Sequence, residues 1–506
     1  GRSFVIEKDH TLILGWSPKI FTIVSELVLA NENRHKPRIV ILAEKDKIEM
    51  EDEIREEVGP TGNTKIICRT GSPLALNDLE IVNPHQARSI VILAPESEEP
   101  DSQVIKTILA ITNNPDRRPE PYHIVAEIAE PKNLEVARMV GKDEAQLIVT
   151  GDLISRIIVQ TSRQSGLSVV YTELLDFGGD EIYFTEEPKL VGRTFGDALL
   201  AYEDSAIIGL RSRDGGIRLN PPMDTRIQEG DRVIAISEDD DTVKVSDQPG
   251  AVDERAIHGA SATARRPERT LILGWNERGP AIVRELDRYV APGSEMTLVA
   301  PGASGERLNL VNQKGTFLSA DTTDREVLDG LKVESYDQVI LLCYSDDLDV
   351  QEADARTLIT LLHLRDMAEK GGHDFRIVSE MLDVRNRELA EVTQADDFIV
   401  SNKLTSLMLA QISENQELTA VFEGLFDPEG SEVYLKPASD YVELGLEVSF
   451  YTVAEAARRR GEVAFGYRQM AHAKDAVRSY GVVVNPKKSA RLAFAEEDQV
   501  IVLAEE

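Results

Sequence analysis

The chain carries one hydrophobic pattern at two places about half its length apart. A run of apolar residues, Thr11–Leu14, ends at Gly15 and Trp16, and an amphipathic segment with a helical period follows over 18–30. The same succession returns as Thr270-Leu-Ile-Leu-Gly-Trp, with a second amphipathic segment from residue 281. A short apolar strand, a glycine turn and a helix open a doubly wound α/β domain. The spacing is that of whole domains, so the pattern predicts two homologous lobes.

Alternating strand and helix patterns fill the rest of each lobe. The apolar runs are short, continuous and rich in β-branched residues, which is typical of a parallel sheet covered on both faces. In lobe 1 the predicted strands are 11–14, 38–43, 64–68, 89–93, 123–127 and 146–149, and the predicted helices are 18–30, 48–57, 101–111 and 133–140. In lobe 2 the predicted strands are 270–273, 296–300, 316–319, 338–343, 375–379 and 397–400. Right-handed crossovers make each sheet Rossmann-like, so the fold class is α/β.

The pattern also divides the chain into segments. A helical apolar period follows each lobe as a crossover helix, and short strands separated by turns then predict a small α+β subdomain. The predicted segments are lobe 1 at 8–150, a crossover helix and connection at 151–180, C-terminal subdomain 1 at 181–238, a linker at 239–268, lobe 2 at 269–401, a crossover helix and connection at 402–431, and C-terminal subdomain 2 at 432–506. The linker shows no periodicity, and we expect it to be flexible.

The first turn of each lobe departs from the pattern that binds dinucleotides. That site needs Gly-x-Gly-x-x-Gly, in which the middle glycine lets the backbone approach the pyrophosphate. Lobe 1 keeps only Gly15, lobe 2 keeps Gly274 and Gly279, and the middle position is Ser17 or Asn276. These replacements argue against NAD as a cofactor. The sequence also has no Walker A, Gly-x-Ser-x-Gly or His-Glu-x-x-His motif, which argues against an enzyme.

The charge balance narrows the possible partners. The 506 residues include 56 Lys and Arg against 89 Asp and Glu, a formal net charge of −33. Binding to nucleic-acid phosphates needs clustered basic residues, so this balance argues against a nucleic-acid partner. An excess of carboxylates is compatible with divalent cations. No apolar run approaches the roughly 18 residues of a membrane helix, and Cys68 and Cys343 lie in apolar strand-like runs as core residues.

The small subdomain carries the features that indicate a family. Five short segments follow one another in order: Leu190-Val-Gly-Arg-Thr-Phe, Ala206-Ile-Ile-Gly-Leu-Arg, Asp214-Gly, Asn220-Pro-Pro and Glu229-Gly-Asp-Arg-Val. Together with the lobe before it, this order resembles an RCK (regulator of K⁺ conductance) domain, here in a tandem of two. The Gly-Trp turns and the long tandem chain look most like the Castor/Pollux-type ion channels and their bacterial relatives.

The resemblance implies a regulatory function. It implies a gating ring that is a tetramer of tandem lobes, at the cytoplasmic face of a membrane, with a pore-forming transmembrane domain upstream in the full-length protein. Ligand binding in the ring would then open the pore of a cation channel, potassium transport being one possibility. Two alternatives stay open: an NAD- or ATP-binding peripheral subunit of a potassium-uptake system, and a Rossmann-type oxidoreductase.

The crossover helices supply a candidate surface for self-association. Their apolar stripes are larger than one lobe needs, and exposed patches of that size mark interfaces. The stripes comprise Leu153, Ile154, Ile157, Ile158, Leu404, Leu407, Met408 and Ile412. Core packing within the chain is the alternative interpretation of the same residues.

Calcium is the ligand that the resemblance favours, and lobe 2 offers most carboxylates where its strands end. Ca²⁺ takes six to eight oxygen ligands, and doubly wound sheets bind ligands at their carboxyl edge. The candidate metal ligands follow the third, fourth and fifth strands of lobe 2: Asp321, Asp324, Asp346, Asp347, Asp349, Glu380 and Asp383. The matching loops of lobe 1 carry Gly71, Ser72, Asn77, Asp78, Glu96, Glu98, Glu99, Glu127 and Glu130.

Two other interpretations accompany these acids. Each one is also suited to cap a helix or to lie in a solvated loop, since Asp is favoured before helices. A second possible cation site lies after the first crossover helix, where calcium-gated relatives place acids. Here the helix ends without one, so such a site would depend on Glu173, Asp176 and Glu181.

Overall fold

The structure, a computed structural model, describes residues 3–259, 265–304, 308–346, 348–391, 397–427 and 429–505. Within them the chain forms two compact units. The first unit holds the chain as far as Ile154 together with Val400–Thr419, and the second holds Ser155–Ile399 and the chain from Ala420 onward. The candidate ligand Asp347 lies outside the described residues.

Lobe 1 is a parallel six-stranded sheet in the order β3-β2-β1-β4-β5-β6. Its strands are β1 (Thr11–Leu14), β2 (Arg38–Ala43), β3 (Lys65–Thr70), β4 (Ser89–Ile92), β5 (Ile124–Ile128) and β6 (Ala145–Val149). Its helices are α1 (Lys19–Ala30), α2 (Lys47–Glu57), α3 (Leu76–Ile81), α4 (Pro100–Thr112) and α5 (Leu134–Gly141). The predicted Rossmann-like sheet is confirmed. Only α3 was not predicted, because a helix of six residues gives too short a periodic signal.

The crossover helix and the first small subdomain follow. Gly166, with φ at +90°, separates α6 (Thr150–Arg163) from α7 (Leu167–Leu175). Subdomain 1 then contains β7 (Glu181–Glu186), α8 (Phe195–Leu199), β8 (Ser205–Arg211), β9 (Ile217–Leu219) and β10 (Arg232–Ser237). These strands form an antiparallel sheet in the order β7-β10-β8-β9, as the short strands and turns of the sequence predict.

Lobe 2 repeats the strand order of lobe 1. Its sheet has the order β13-β12-β11-β14-β15-β16, with parallel pairing. The strands are β11 (Arg269–Leu273), β12 (Ser294–Val299), β13 (Gln313–Leu318), β14 (Gln338–Leu341), β15 (Ile377–Met381) and β16 (Asp397–Val400). The helices are α9 (Gly279–Tyr289), α10 (Arg325–Gly330), α11 (Val350–Gly371) and α12 (Val384–Glu391).

The second crossover region and subdomain complete the repeat. They contain α13 (Ser401–Glu414), α14 (Leu418–Leu425), β17 (Glu432–Pro437), β18 (Val448–Ser449), α15 (Phe450–Arg458), β19 (Val463–Arg468), β20 (Val482–Val484), β21 (Arg491–Leu492) and β22 (Gln499–Ala504). The main sheet of subdomain 2 has the order β17-β22-β19-β20, which matches that of subdomain 1. Of the helices in the described residues, none has both the length and the apolar character needed to cross a membrane.

Each crossover helix lies with the elements of the other lobe. Helix α13 follows lobe 2 in sequence but belongs to the first unit, where it packs against α1, β4 and β5 of lobe 1. Helix α6, from Ser155 onward, belongs to the second unit with lobe 2. All eight residues of the predicted interface stripes are buried within this one chain. The stripes therefore form no exposed patch, and the core-packing interpretation applies to them.

Much of the predicted flexible linker is docked instead. Ala256 is fully buried in the core of subdomain 2, and Ile257 forms a β-bridge with Val442. Ser449 Oγ donates a hydrogen bond of 2.8 Å to the carbonyl of Ala251. The sequence missed this packing because one buried alanine among polar residues leaves no periodic pattern. Residues 260–264 of the linker lie outside the described residues.

Candidate functional site

The glycine turn after the first strand has the same geometry in both lobes. Gly15 and Gly274 have φ values of +101° and +94°, a region that favours glycine. A Cβ on Gly15 would lie 3.0 Å from the carbonyl oxygen of Leu93, and one on Gly274 would lie 2.1 Å from that of Leu342. These glycines therefore serve the turn and its close approach to the fourth strand, whether or not a nucleotide binds.

The middle position of the glycine motif is filled by a polar side chain with partners inside the lobe. In lobe 2 the amide of Asn276 donates to the carbonyl of Cys343 at 2.8 Å and to Glu380 at 2.9 Å. Its carbonyl oxygen accepts the backbone N–H of Arg278 at 3.0 Å. In lobe 1 the hydroxyl of buried Ser17 accepts the backbone N–H of Lys19 at 3.3 Å. Asn276 thus ties the first turn of α9 to the ends of β14 and β15, whereas the bond of Ser17 stays within the first turn of α1.

An ion pair crosses the carboxyl edge of each sheet. In lobe 1, Lys19 Nζ lies 2.8 and 3.0 Å from the two carboxylate oxygens of Glu127 on β5. The backbone N–H of Ala94 donates to the same carboxylate at 3.1 Å. The side chain of Glu127 is 2% exposed. This acid, which the sequence placed among the candidate ligands of lobe 1, is thus already engaged.

The ion pair of lobe 2 is enclosed more completely. Arg278 donates to Glu380 on β15 through Nε at 2.9 Å and through Nη2 at 2.5 Å. The thiol and the backbone N–H of Cys343 donate to the same carboxylate at 2.7 and 3.2 Å. Glu380 is completely buried, and its partners occupy both oxygens. Burial opposes the charge of Arg278, but the carboxylate of Glu380 outweighs this and raises the pKa of Arg278.

The two tryptophans pack at the turns where a pyrophosphate would lie. A Cβ on Gly279, the third glycine of the motif in lobe 2, would fall 2.5 Å from ring atoms of Trp275, so the indole lies against the first turn of α9. In lobe 1, Trp16 meets Phe21 edge-on with ring centroids 5.8 Å apart. The Lys45 ammonium lies 5.7 Å from the centre of the Trp16 ring. The two indoles therefore pack at the turns where Rossmann-type dinucleotide sites place their glycine motif.

The candidate metal ligands after β13 hold their own loop. Asp321 accepts the backbone N–H and the hydroxyl of Thr323 at 2.9 and 2.7 Å, and these hydrogen bonds lower the pKa of Asp321. Asp324 caps α10 by accepting the N–H of Glu326 at 3.0 Å. Both roles are those that the sequence left open for acids before a helix.

The candidates after β14 and β15 also have structural partners. Asp349 caps α11 through the N–H of Glu352 at 2.9 Å, while Asp346 is exposed. Asp383 pairs with Arg385 at 2.7 Å and accepts from the amide of Gln351 at 2.9 Å. Burial raises the pKa of Asp383, but the hydrogen bonds and charge of Arg385 outweigh it and leave that pKa lowered.

Two hydrogen bonds nevertheless bring the three loops side by side. The hydroxyls of Thr322, next to Asp321, and of Tyr344, in the loop after β14, lie 2.6 Å apart. The bond between Gln351 and Asp383 joins the start of α11 to the loop after β15. The loop after β13 is thus joined to the loop after β14, and the start of α11 to the loop after β15. Their carboxylates do not form a tight cluster, because Asp239, Asp240 and Asp241 make the only group of three or more in the described residues whose ligand atoms lie within 4.8 Å of one another.

The junction after α6 offers no alternative cluster. Asp176 accepts the backbone N–H of Gly178 at 2.7 Å, and Glu181 accepts the hydroxyl of Tyr183 at 3.3 Å. Glu173 lies on α7 and has an interaction of its own. None of the three is part of the close acidic group, Asp239–Asp241, found in the described residues.

Sequence reasoning missed a buried aspartate that shapes this edge in each lobe. Asp101 on α4 accepts the N–H groups of Ala129 and Glu130 at 2.7 and 3.0 Å and the amide of Asn133 at 2.8 Å. In lobe 2, Asp354 on α11 binds the equivalent groups of Leu382, Asp383 and Asn386 at 2.9, 3.0 and 2.7 Å. The repeated spacing of Glu, a second acid and Asn (127, 130, 133; 380, 383, 386) was the available signal.

Comparison with known proteins agrees with this architecture. Residues 7–125 match the family model described as the calcium-activated potassium channel slowpoke-like RCK domain. Residues 151–253 match the model described as Castor and Pollux, part of voltage-gated ion channel. The human SLO3 gating ring has the same fold, with a TM-score of 0.69 at 14% identity over 98% of each chain.

Similarity to named proteins extends along the whole chain. The probable ion channel CASTOR of Oryza sativa subsp. japonica is 33% identical over all of this chain and 60% of its own length. The probable ion channel POLLUX of Arabidopsis thaliana is 31% identical over 99% of this chain and 65% of its own length. The chain is thus similar along its whole length to the Castor/Pollux ion channels, and over residues 7–125 to an RCK domain. It spans less than two thirds of the length of these relatives, which are named as channels and not as enzymes.

Proposed function

We propose that this RCK module is the ligand-sensing gating ring of a cation channel, at the cytoplasmic face of the membrane that holds the pore. The observation that carries the proposal is the similarity to named ion channels over the full length of the chain. The internal ion pairs add to it, because Glu127 and Glu380 hold Lys19 and Arg278 in the crevices where a Rossmann enzyme would hold its cofactor. The uptake subunit and the oxidoreductase both need that crevice open, so the structure favours neither.

The direct test uses the full-length protein in a planar bilayer. Single-channel currents that change when ligand is added on the side of this module, and that lose the response when the module is removed, support the proposal. Tight binding of NAD or ATP to the purified module, with a stoichiometry of one per lobe, would contradict it and favour the uptake subunit.

Calcium is the ligand that we propose for the module, bound by loops of lobe 2 at the carboxyl edge. The exposed acids Asp321, Asp346 and Asp349 follow neighbouring strands, and the hydrogen bond between Thr322 and Tyr344 keeps two of their loops together. Asp324, Asp347 and Asp383 complete the proposed set of oxygen ligands, whereas Glu380 leaves the candidate set because Arg278, Asn276 and Cys343 already hold both of its oxygens. Ca²⁺ accepts an irregular set of six to eight oxygens, whereas Mg²⁺ demands a tight octahedron. Binding would therefore draw caps and turn residues toward a common ion.

A melting experiment tests the site. Free Ca²⁺ at a hundred times its dissociation constant should stabilise the module by about 2.7 kcal/mol, and Mg²⁺ should do less. The variant Asp321→Asn with Asp346→Asn should lose most of this shift. The matched control, Asp239→Asn with Asp240→Asn, removes the same charge from the exposed acidic group at the end of subdomain 1 and should keep it. If only the control variant lost the shift, the calcium site would be assigned to the acidic group at Asp239–Asp241 and not to the loops of lobe 2.

Self-association into a tetramer of tandem lobes is the assembly that we propose. The crossover stripes are covered within the chain, so the surface must lie elsewhere. Helices α4 and α5 of lobe 1 and α11 and α12 of lobe 2 leave large apolar side chains exposed. These are Leu109, Val136, Met139, Ile359, Leu362 and Leu389. The double variant Val136→Glu with Met139→Glu should lower the oligomeric state measured by light scattering. The control is Val477→Glu, which changes an exposed apolar residue away from these helices and should leave the oligomeric state unchanged.

A further inference from the structure

The two crossover helices end in opposite charges at the same position. Both helices have 14 residues, and the last residue is Arg163 in α6 and Glu414 in α13. The residue before each of them is a serine, Ser162 in α6 and Ser413 in α13. A reversal of charge on otherwise similar helices affects which surface each helix fits.

In the first unit Glu414 is held by two arginines of lobe 1. Arg88, which precedes β4, donates to both carboxylate oxygens at 2.9 and 3.2 Å, and Arg34, which follows α1, lies 2.6 Å away. Beside this group the hydroxyls of Ser89 and Ser413 are 2.8 Å apart. Burial raises the pKa of Glu414, but the hydrogen bonds and charge of Arg88 and Arg34 outweigh it, so that pKa is lowered.

In the second unit Arg163 meets an acid of lobe 2. Its guanidinium lies 3.3 Å from Glu268, which precedes β11, and 5.6 Å from the centre of the Tyr289 ring on α9. Gln338, the first residue of β14, donates to the same Glu268 carboxylate at 3.2 Å. The helix end is thus recognised at the same edge of the sheet as in lobe 1, but with the signs exchanged.

The two lobes also differ in charge where the fourth strand begins. The residue before β4 is Arg88, and the residue before β14 is Asp337. Asp337 accepts the N–H of Arg269 at 2.7 Å and lies 3.6 Å from Arg266. The Arg269 guanidinium is engaged with Glu295 at 2.8 Å. A helix ending in Glu would therefore meet two acids on lobe 2 and lose both of its arginines.

The opposite exchange is unfavourable as well. A helix ending in Arg163 and placed on lobe 1 would face Arg34 and Arg88, with only the exposed Asp9 at the position equivalent to Glu268. Like charges that are brought together in a partly desolvated contact suppress the wrong pairing more strongly than matched charges reward the right one.

We propose that this exchange of charge selects the partner of each crossover helix: the helix ending in Glu414 packs on lobe 1, the helix ending in Arg163 packs on lobe 2, and two copies of the same lobe do not exchange helices. The surfaces concerned are the basic pair Arg34 and Arg88 and the acidic pair Glu268 and Asp337. The proposal rests on the fold and does not depend on the ion or ligand of the proposed function.

A disulfide trap at the close serines measures the pairing in the full chain. Ser89→Cys with Ser413→Cys should crosslink within the chain under mild oxidation, since their hydroxyls lie 2.8 Å apart and the two native cysteines are buried. Adding Glu414→Arg should lower the rate at least tenfold, and Glu414→Gln should have a smaller effect. Adding Arg34→Glu and Arg88→Glu to Glu414→Arg should restore the rate.

The restored variant makes the test decisive. If the crosslinking rate is restored, charge complementarity controls the pairing of the helix with lobe 1. A helix end held only by packing would not regain its crosslinking rate when all three charges are reversed. Crosslinking of Glu414→Arg at the original rate, or failure of the triple reversal to recover in a chain that melts like the original, would overturn the proposal.

A second trap detects the wrong pairing. Ser162 occupies on α6 the position of Ser413 on α13, so Ser89→Cys with Ser162→Cys reports exchange between the first lobes of two chains. The original charges should give no disulfide-linked dimer on a non-reducing gel. Arg163→Glu with Glu414→Arg should give one, and its absence would show that charge does not select the partner.

Discussion

Lobe 1 and lobe 2 each place an acid and a base at the equivalent point of their own sheet, yet the two lobes enclose the pair differently. Lys19 reaches Glu127 with one flexible ammonium, and the rest of the contact is a single backbone N–H. Arg278 reaches Glu380 with two guanidinium nitrogens, and Asn276 and Cys343 complete the shell. A planar guanidinium fixed by two bonds is less easily displaced than an ammonium on a long stem. We therefore expect that breaking the ion pair in the crevice requires less free energy in lobe 1 than in lobe 2.

The largest expected effect follows from removing the acid of each pair. Glu380→Gln leaves Arg278 buried without its counter-ion and should lower the free energy of unfolding of the second unit by about 3–5 kcal/mol. Glu127→Gln should cost only about 1–2 kcal/mol, because Lys19 can turn toward water. Urea unfolding followed by fluorescence of the tryptophan in each lobe, with the other tryptophan replaced by Phe, measures both. Equal losses of unfolding free energy in Glu380→Gln and Glu127→Gln would contradict the difference between the two ion pairs.

The glycine turns give a second comparison. Alanine at Gly274 would meet the Leu342 carbonyl at 2.1 Å, whereas alanine at Gly15 would lie 3.0 Å from that of Leu93. Both carry the strain of a positive φ, so we expect about 1–2 kcal/mol for Gly15→Ala and about 3 kcal/mol for Gly274→Ala. The same urea assay measures the difference, and Gly330→Ala, in open space on α10, is the control. A larger loss for Gly15→Ala would contradict the geometry.

The small subdomains differ at the position of Lys488, which is buried in subdomain 2. Lys488 donates from Nζ to the carbonyls of Tyr202, at 2.5 Å, and of Ser205, and burial lowers its pKa to about 7 despite the nearby acids Glu203 and Asp204. Met223 stands at the matching position of subdomain 1: its carbonyl accepts the N–H of Gly196 as that of Lys488 accepts the N–H of Tyr451.

This lysine predicts a dependence on pH. Between about 7 and its ordinary pKa of 10.5, Lys488 is neutral in the folded chain and protonated in the unfolded one. The unfolded state then binds more protons, so stability should rise with pH by up to about 1.4 kcal/mol per unit. Lys488→Met should flatten that rise, and Lys487→Met, a change at an exposed neighbour, should keep it. Melting curves from pH 7 to 10 measure the slope, and a slope unchanged in Lys488→Met would contradict the assignment.

The smallest expected effect concerns the short helix after the third strand. In lobe 2 Asp324 caps α10, whereas in lobe 1 the residue before α3 is Ala75, which makes no capping bond. Asp324→Ala should cost about 1 kcal/mol, and Ala75→Ser should add about 0.5 kcal/mol. Urea midpoints measure both. If Asp324→Ala proved harmless without calcium but abolished a calcium-dependent shift, the residue would be a ligand and not a cap.

The repeated architecture could be predicted from the sequence because its signals are local. Runs such as Arg38–Ala43 are apolar and β-branched from end to end, and Gly15 and Gly274 mark the turns that follow the first strands. Asp321, Asp346 and Asp383 lie just beyond β13, β14 and β15, whereas Glu380 lies within β15. The partners of these acids could not be predicted, because those of Glu380 come from two other segments, the turn with Asn276 and Arg278 and the residue Cys343.

By itself the sequence determined the two lobes, the small subdomains and the apolar stripes of both crossover helices, since each of these follows from periodicity within a short segment. Only the tertiary structure decided what covers those helices. An apolar stripe demands burial but does not specify a partner. Arg163 finds Glu268 across 105 positions, and Glu414 finds Arg88 across 326. Contacts at such separations depend on how the whole chain closes, so no local pattern records them.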